Sequence, residues 1–290
     1  MIYLIGSIVL SSYLTIAFKL CEKLKIPIFQ AIVFNYITCV ITGSVVNGSF
    51  PVNGSVLGET WFHWAAVMGI VFVSLFNLIG ITTQRNGVAV TSVANKLSLI
   101  IPVVLAVYLY NDQLDGWKVV GVILALVAVL LTCYQSPTPG TGKQNSPGYL
   151  LPIAVFIGSG LLDAMINHIQ KNYVTDETSN AFLISGFLSA ATIGTVLLII
   201  QYARKKQSFS WRYVIAGILI GIPNYFSIWC LVKFLKSSPL QSTQSIPVNN
   251  MGIVLFSSVV AWILFKEKLS AINWLGIGLS LLAIGLIAFG

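Results

Sequence analysis

Two ionisable side chains lie well inside long apolar stretches of this 290-residue chain. Lys96 sits in Val93-Ala94-Asn95-Lys96-Leu97-Ser98, and Asp163 in Gly160-Leu161-Leu162-Asp163-Ala164-Met165. A charge held at bilayer depth costs about 2.5–3.5 kcal/mol on insertion scales, so it persists where it is paired, hydrated or used. The ammonium of Lys96 is a compact point charge suited to a carboxylate or a phosphate. Its structural alternatives are an ion pair with Asp163, or a lysine that burial keeps neutral. Asp163 can carry a proton, because burial disfavours the carboxylate, or it can meet a solute's amino group. Partnership with Lys96 or with Asn167, one turn on, is the competing structural reading.

Uncharged polar groups extend the set. Asn77, Asn95, Asn224 and Asn250 fall inside apolar spans, where amides either line a polar cavity or hydrogen-bond between helices. Tyr225 and Trp229, one turn apart, can stack on a ring or a cation, or simply pack. Pro102, Pro223 and Pro247 are expected to interrupt their spans, which frees backbone groups that lipid does not satisfy. The four cysteines have no metal-site or redox spacing and read as small apolar fillers. No cofactor motif is present, and two distant histidines without clustered acids argue against an enzyme.

The elements that hold these residues follow from composition. Hydrophobic residues make up 57% of the chain and charged residues 8%, against about 25% charged in soluble domains. Most of the surface must therefore face a solvent other than water, and the same balance excludes a disordered chain. The net charge of +8 is spread singly and in short groups at the ends of apolar runs, such as Arg204-Lys205-Lys206. Scattered cations of this kind are orientation signals, not a nucleic-acid-binding stripe. Long unalternating runs favour helices over barrel strands. The polar punctuation predicts about ten spans: 2–20, 28–46, 62–82, 88–108, 117–133, 149–169, 181–200, 213–234, 240–265 and 272–289. Trp61, Trp64, Trp117, Trp211 and Trp274, at span starts, are expected in the interfacial belt.

A shift of 155 residues lays 95–131 on 250–286 without a gap. Asn95 meets Asn250, Asp112 meets Glu267 and Gly121 meets Gly276; at Lys96 the symmetry breaks, its mate being Met251. A weaker match sets Tyr3-Leu4 on Tyr149-Leu150 in a different frame. The predicted organisation is a first five-helix repeat at 1–134, a linker at 135–147 rich in proline and glycine, and a second repeat at 148–290. An odd number of spans per repeat inverts the second relative to the first. The fold class is then an all-α membrane protein of two inverted five-helix repeats.

The two halves each carry an apolar span closed by a short acidic turn, Leu109-Tyr110-Asn111-Asp112-Gln113-Leu114 and Leu264-Phe265-Lys266-Glu267-Lys268-Leu269, then a glycine-containing helix. With ten helices in two such units, the chain resembles the EamA-like members of the drug/metabolite transporter superfamily. The resemblance implies a secondary carrier, an exporter or exchanger, with a cavity lined by the third, fourth, eighth and ninth helices, the first and sixth contributing. It implies a small polar solute, such as an amino acid or a phosphorylated metabolite, the lipid bilayer, and a coupling proton or counter-solute as partners, in a bacterial inner membrane. Receptor or scaffold, and less so membrane enzyme, are the alternatives. The Lys and Arg at the turns place both termini outside by the positive-inside rule, whereas the resemblance implies both inside.

Overall fold

A computed structural model describes residues 1–54, 56–110, 116–134, 148–175, 177–238 and 242–289. Every regular element among them is helical: α1 (Ile2–Lys23), α2 (Ile28–Asn47), α3 (Phe62–Asn86), α4 (Val88–Leu97), α5 (Ile100–Tyr110), α6 (Gly116–Thr132), α7 (Leu150–Asn172), α8 (Ser179–Ala203), α9 (Trp211–Ser237), α10 (Ser242–Phe265) and α11 (Ala271–Phe289), with a 3-10 turn at Val56–Gly58. Within the described residues nine segments are long and apolar enough to cross a membrane, with the run Val88–Leu105 counted as one, and α6 is shorter. In lipid, backbone N–H and C=O groups must be satisfied within the segment, which is why these apolar runs are helices. The linker at 135–147 and Asp112 lie outside the described residues.

Two compact units make up the chain. The first gathers Met1–Lys19, Leu78–Leu161 and Ser227–Gly290, and the second Leu20–Asn77 and Leu162–Phe226. Each draws on both halves of the sequence.

In the first unit α6 packs along α11, and α10 packs along α4 and α11. The glycines show how. A methyl group added at Gly121 would lie 2.8 Å from Ile287 and 3.0 Å from the Ala283 carbonyl oxygen. One added at Gly276 would lie 2.6 Å from the Thr132 nitrogen and 3.0 Å from the Ala128 carbonyl. Under the 155-residue shift these two contact sets are the same set exchanged. The early part of each helix meets the late part of the other, so the repeat mates run antiparallel about a local two-fold axis. Small residues let the backbones approach, and dispersion between them replaces the hydrophobic drive that lipid removes.

In the second unit α2 packs on α8 by the same device in another frame. A methyl at Gly43 would lie 3.0 Å from Ile184, and one at Gly194 would lie 2.9 Å from Val33. A 151-residue shift exchanges the two contacts, laying Gly43 on Gly194 and Val33 on Ile184. Around α2, Tyr36 is fully buried among Phe72, Phe76 and Phe187, with ring centroids 5.5–6.0 Å apart, and its hydroxyl donates to the Phe72 carbonyl at 3.0 Å.

Two expectations change. Pro223 and Pro247 lie inside the continuous helices α9 and α10; Pro247 is only six residues into α10, close to the end where missing donors matter least. Only at Pro102 does a span divide. Trp61 is fully buried, edge-on to Phe182 with centroids 5.7 Å apart, whereas Trp117 and Trp211 are exposed as a belt residue is.

Candidate functional site

The divided span is the centre of the first unit's polar chemistry. α4 ends at Leu97, and Ser98-Leu99 form a turn before α5 begins at Ile100. Proline at 102 has no N–H to give the Ser98 carbonyl, and its ring crowds that carbonyl. The Ser98 oxygen instead accepts from the Ile101 N–H at 2.9 Å, a tightened i+3 closure. A helix end leaves its last carbonyls without intrahelical donors. Two of them find side chains here: the Ser98 hydroxyl donates to the Asn95 carbonyl, and the Asn250 amide to the Lys96 carbonyl at 3.5 Å. Gly160 of α7 backs the turn, where a methyl group would lie 2.7 Å from the Ser98 oxygen.

Lys96 occupies the last turn of α4 and is half-buried. A cation there is favoured by the negative end of the helix dipole. Asn95 beside it is likewise half-buried, and Asn250, its repeat mate, is buried. The crossing of α4 and α10 thus falls at the repeat's own symmetry point, and the lysine stands there on one side only. Next to Asn250, the buried Asn249 keeps its Oδ1 without a hydrogen-bond partner.

The opposite end of α4 is held by Glu267. Its Oε1 accepts from the Val88 N–H at 2.8 Å and its Oε2 from the Ala89 N–H at 3.4 Å. These are orphan donors of the first helical turn, and a carboxylate is the group that suits them. Gly87 makes the approach possible, with φ +96 and ψ 166, and a methyl group there would lie 2.7 Å from the carboxylate. Ile16, Val88, Ala89 and Ala261 form the apolar cluster nearby. The acidic turn noted in the sequence is therefore a helix cap across the two halves of the chain. Its signal was the glycine immediately before an apolar span that carries no Ser, Thr, Asn or Asp cap of its own.

Trp229, also in the first unit, is half-buried and edge-on to Tyr3 with centroids 5.8 Å apart, and the Lys233 ammonium stands 5.5 Å from its ring centroid. The remaining predicted residues belong to the second unit. Asp163 is exposed on α7. Asn77 is half-buried and donates to the Val73 carbonyl of its own helix at 2.8 Å. Asn224 is buried and donates to Asn35 Oδ1 at 3.1 Å; the Cys39 thiol reaches the same oxygen at 3.7 Å and the Gly221 carbonyl at 3.4 Å. Tyr225 is buried, and a methyl at Gly43 would lie 2.9 Å from its ring. The structure thus joins Asn95, Lys96 and Asn250 around one helix end, and joins Asn224 to Asn35, a partner that the sequence reading had not singled out.

Comparison with known proteins bears on this arrangement. Residues 148–289 match the EamA-like transporter family. Over 290 residues the chain is 28% identical to an uncharacterized protein of Haemophilus influenzae, with 97% of this chain and 95% of that one covered. A solved crystal structure shares the fold, with a TM-score of 0.61 over 98% of this chain and 94% of the other at 15% identity. EamA-like proteins are multi-span membrane transporters, and the match points to a small-molecule substrate and the lipid bilayer as partners. The match over residues 148–289, just under half of this integral, multi-pass membrane protein, supports its membership of the drug/metabolite transporter superfamily.

Proposed function

We propose that the chain is a secondary carrier for a small polar metabolite, an amino acid or another solute bearing a carboxylate or phosphate. It works by alternating access between inverted halves, 1–134 and 148–290, in a bacterial inner membrane. The observation that carries this reading is the divided span beside Lys96: a half-buried ammonium at the very turn where a transmembrane helix is interrupted. Interrupted helices bring backbone groups and dipole ends to bear on a solute at membrane depth, and irregular backbone is tolerated there when it is buried in protein or lines water. Asn95, Asn249 and Asn250 add amide donors and acceptors around that cation. In this reading Lys96 anchors the solute's anionic group.

Asn77, Asn224, Tyr225 and Trp229 are retained as secondary contacts of the solute pathway, and Asp163 as the coupling carboxylate. Its exposed position on an apolar helix suits a group that must gain and lose a proton in each cycle.

The test is uptake of candidate amino acids and phosphorylated metabolites into proteoliposomes. Lys96→Gln keeps a polar side chain with N–H donors, one bond shorter, and removes the charge. Loss of a charge-assisted hydrogen bond, worth about 1.5–3 kcal/mol, raises the apparent KM roughly tenfold or more for anionic solutes. Unchanged flux and affinity in that variant would remove the anchor.

A further inference from the structure

A polar cleft lies where α8 turns back into α9 in the second unit, apart from the residues assigned above. Tyr202, Lys205, Lys206, Gln207, Ser208 and Tyr213, with Pro27, line a wide, open cleft of about 450 Å³. Its wall is built, not incidental. α8 closes at Ala203, and Lys205 turns the chain back with φ +53, its N–H donating to the Tyr202 carbonyl at 2.9 Å and that of Lys206 to the Gln201 carbonyl at 3.0 Å. Gln30, fully buried in the first turn of α2, pins the returning loop. Its amide donates to Gln207 Oε1 at 2.7 Å and to the Ser208 carbonyl at 3.2 Å, and its own oxygen accepts from the Tyr202 hydroxyl. A fully buried amide spent on holding an exposed loop fixes the shape of the cleft.

The lining contains two exposed ammonium groups and no acid. Arg204 and Arg212 flank it in sequence and are exposed too. Phe209 and Trp211, 52% and 72% exposed, stand beside it with ring centroids 5.4 Å apart. Exposed aromatics of this kind mark the headgroup level of a bilayer, and lysines held at that level attract anionic groups. A tetrahedral phosphate offers several acceptor oxygens and fits a pair of ammonium groups with hydroxyl-bearing neighbours.

We propose that this cleft binds a phosphate group, supplied either by an anionic lipid headgroup in that leaflet or by a soluble phosphate. The site stands independently of the transport reading, since none of its residues belongs to the solute pathway. The full-length protein, purified in a neutral detergent, is titrated with phosphatidylglycerol, with phosphatidylcholine and, separately, with inorganic phosphate, and binding is read by native mass spectrometry and tryptophan fluorescence. Phosphatidylglycerol is expected to bind about tenfold or more tightly than phosphatidylcholine, with Lys205→Gln/Lys206→Gln abolishing most of that preference. Removing the same charge elsewhere, in Lys236→Gln/Lys268→Gln, leaves it unchanged. Tyr213→Phe, which removes one hydroxyl and no charge, weakens binding by a smaller factor. Saturable binding of inorganic phosphate, lost in the Lys205/Lys206 variant, supports the site and assigns it to a soluble phosphate. Equal loss in both double variants shows diffuse surface charge and overturns the proposal, as does the absence of any preference for the anionic lipid together with no phosphate binding.

Discussion

Removing the Glu267 carboxylate offers the sharpest check on how the structure holds α4. α4 is ten residues long, about 15 Å at 1.5 Å per residue, so a cap at one end acts on the whole element that presents Lys96 at the other. The bond from the Val88 N–H at 2.8 Å is short and charge-assisted, and the one from Ala89 at 3.4 Å is at the limit. A hydrogen bond to a charged group contributes about 1.5–3 kcal/mol net. The helix-dipole contribution is part of the same electrostatics and is not added again. Glu267→Ala is therefore expected to cost about 2–3 kcal/mol. Glu267→Gln, which keeps one acceptor and loses the charge, should cost about 1 kcal/mol.

Gly87→Ala meets both a backbone conformation reserved for glycine, worth about 1–3 kcal/mol, and the carboxylate itself. With Glu267→Ala already present only the backbone cost remains, so the double variant should be less destabilised than the sum of the two by about 1–2 kcal/mol. The assay is reversible unfolding of the purified protein in mixed micelles, run as a complete cycle. Wild-type stability in Glu267→Ala, or strict additivity in the double variant, would refute the cap.

Four further outcomes are expected. Asp163→Asn should abolish any dependence of uptake on an imposed pH gradient while leaving counterflow intact; pH-driven uptake in that variant would end the coupling role. Gly276→Ala, which brings a methyl within 2.6 Å of the Thr132 backbone nitrogen, should destabilise by about 1–3 kcal/mol. Gly278→Ala on the same helix, with nothing within 4 Å, should instead be neutral or stabilising by up to about 1 kcal/mol, and a destabilised Gly278→Ala would count against the close α6–α11 packing. Asn224→Ala, which takes the donor from the buried Asn35 oxygen, should lower stability by about 1–2 kcal/mol, measured by the same unfolding assay. Pro102→Ala restores an N–H that can bond the Ser98 carbonyl, so it should stabilise the span and slow uptake; faster uptake would detach the interrupted helix from transport.

Much of this architecture is legible from residue types alone, because a chain with so little charge and so many long apolar runs has few ways to satisfy its backbone. The span positions follow from that, as does the repeat at 95–131 and 250–286, where polar and glycine residues coincide in one frame. The frame at Gly43 and Gly194 escapes a linear reading: its few marks are small residues in an apolar background, and it differs by four positions from the other, the difference being absorbed between the helices. Only the contacts show that each glycine faces the other's neighbour.

The prolines teach the same lesson. Residue type says that Pro102, Pro223 and Pro247 each remove one helical bond, and nothing in their identity says which span divides. At Pro102 side chains from Ser98 and Asn250 take up carbonyls at the end of α4, and Gly160 leaves room for the turn, so an interruption is tolerated; Pro223 and Pro247 stay within unbroken helices. Likewise the sequence marks Lys96 as a cation at membrane depth, since it lies well inside a long, largely apolar run. That it stands at a helix end, opposite a capped one, is decided by Glu267, which is remote in the chain. Hydropathy is a local property that each residue carries with it, whereas a cap, a close approach or a helix end exists only between partners that folding brings together.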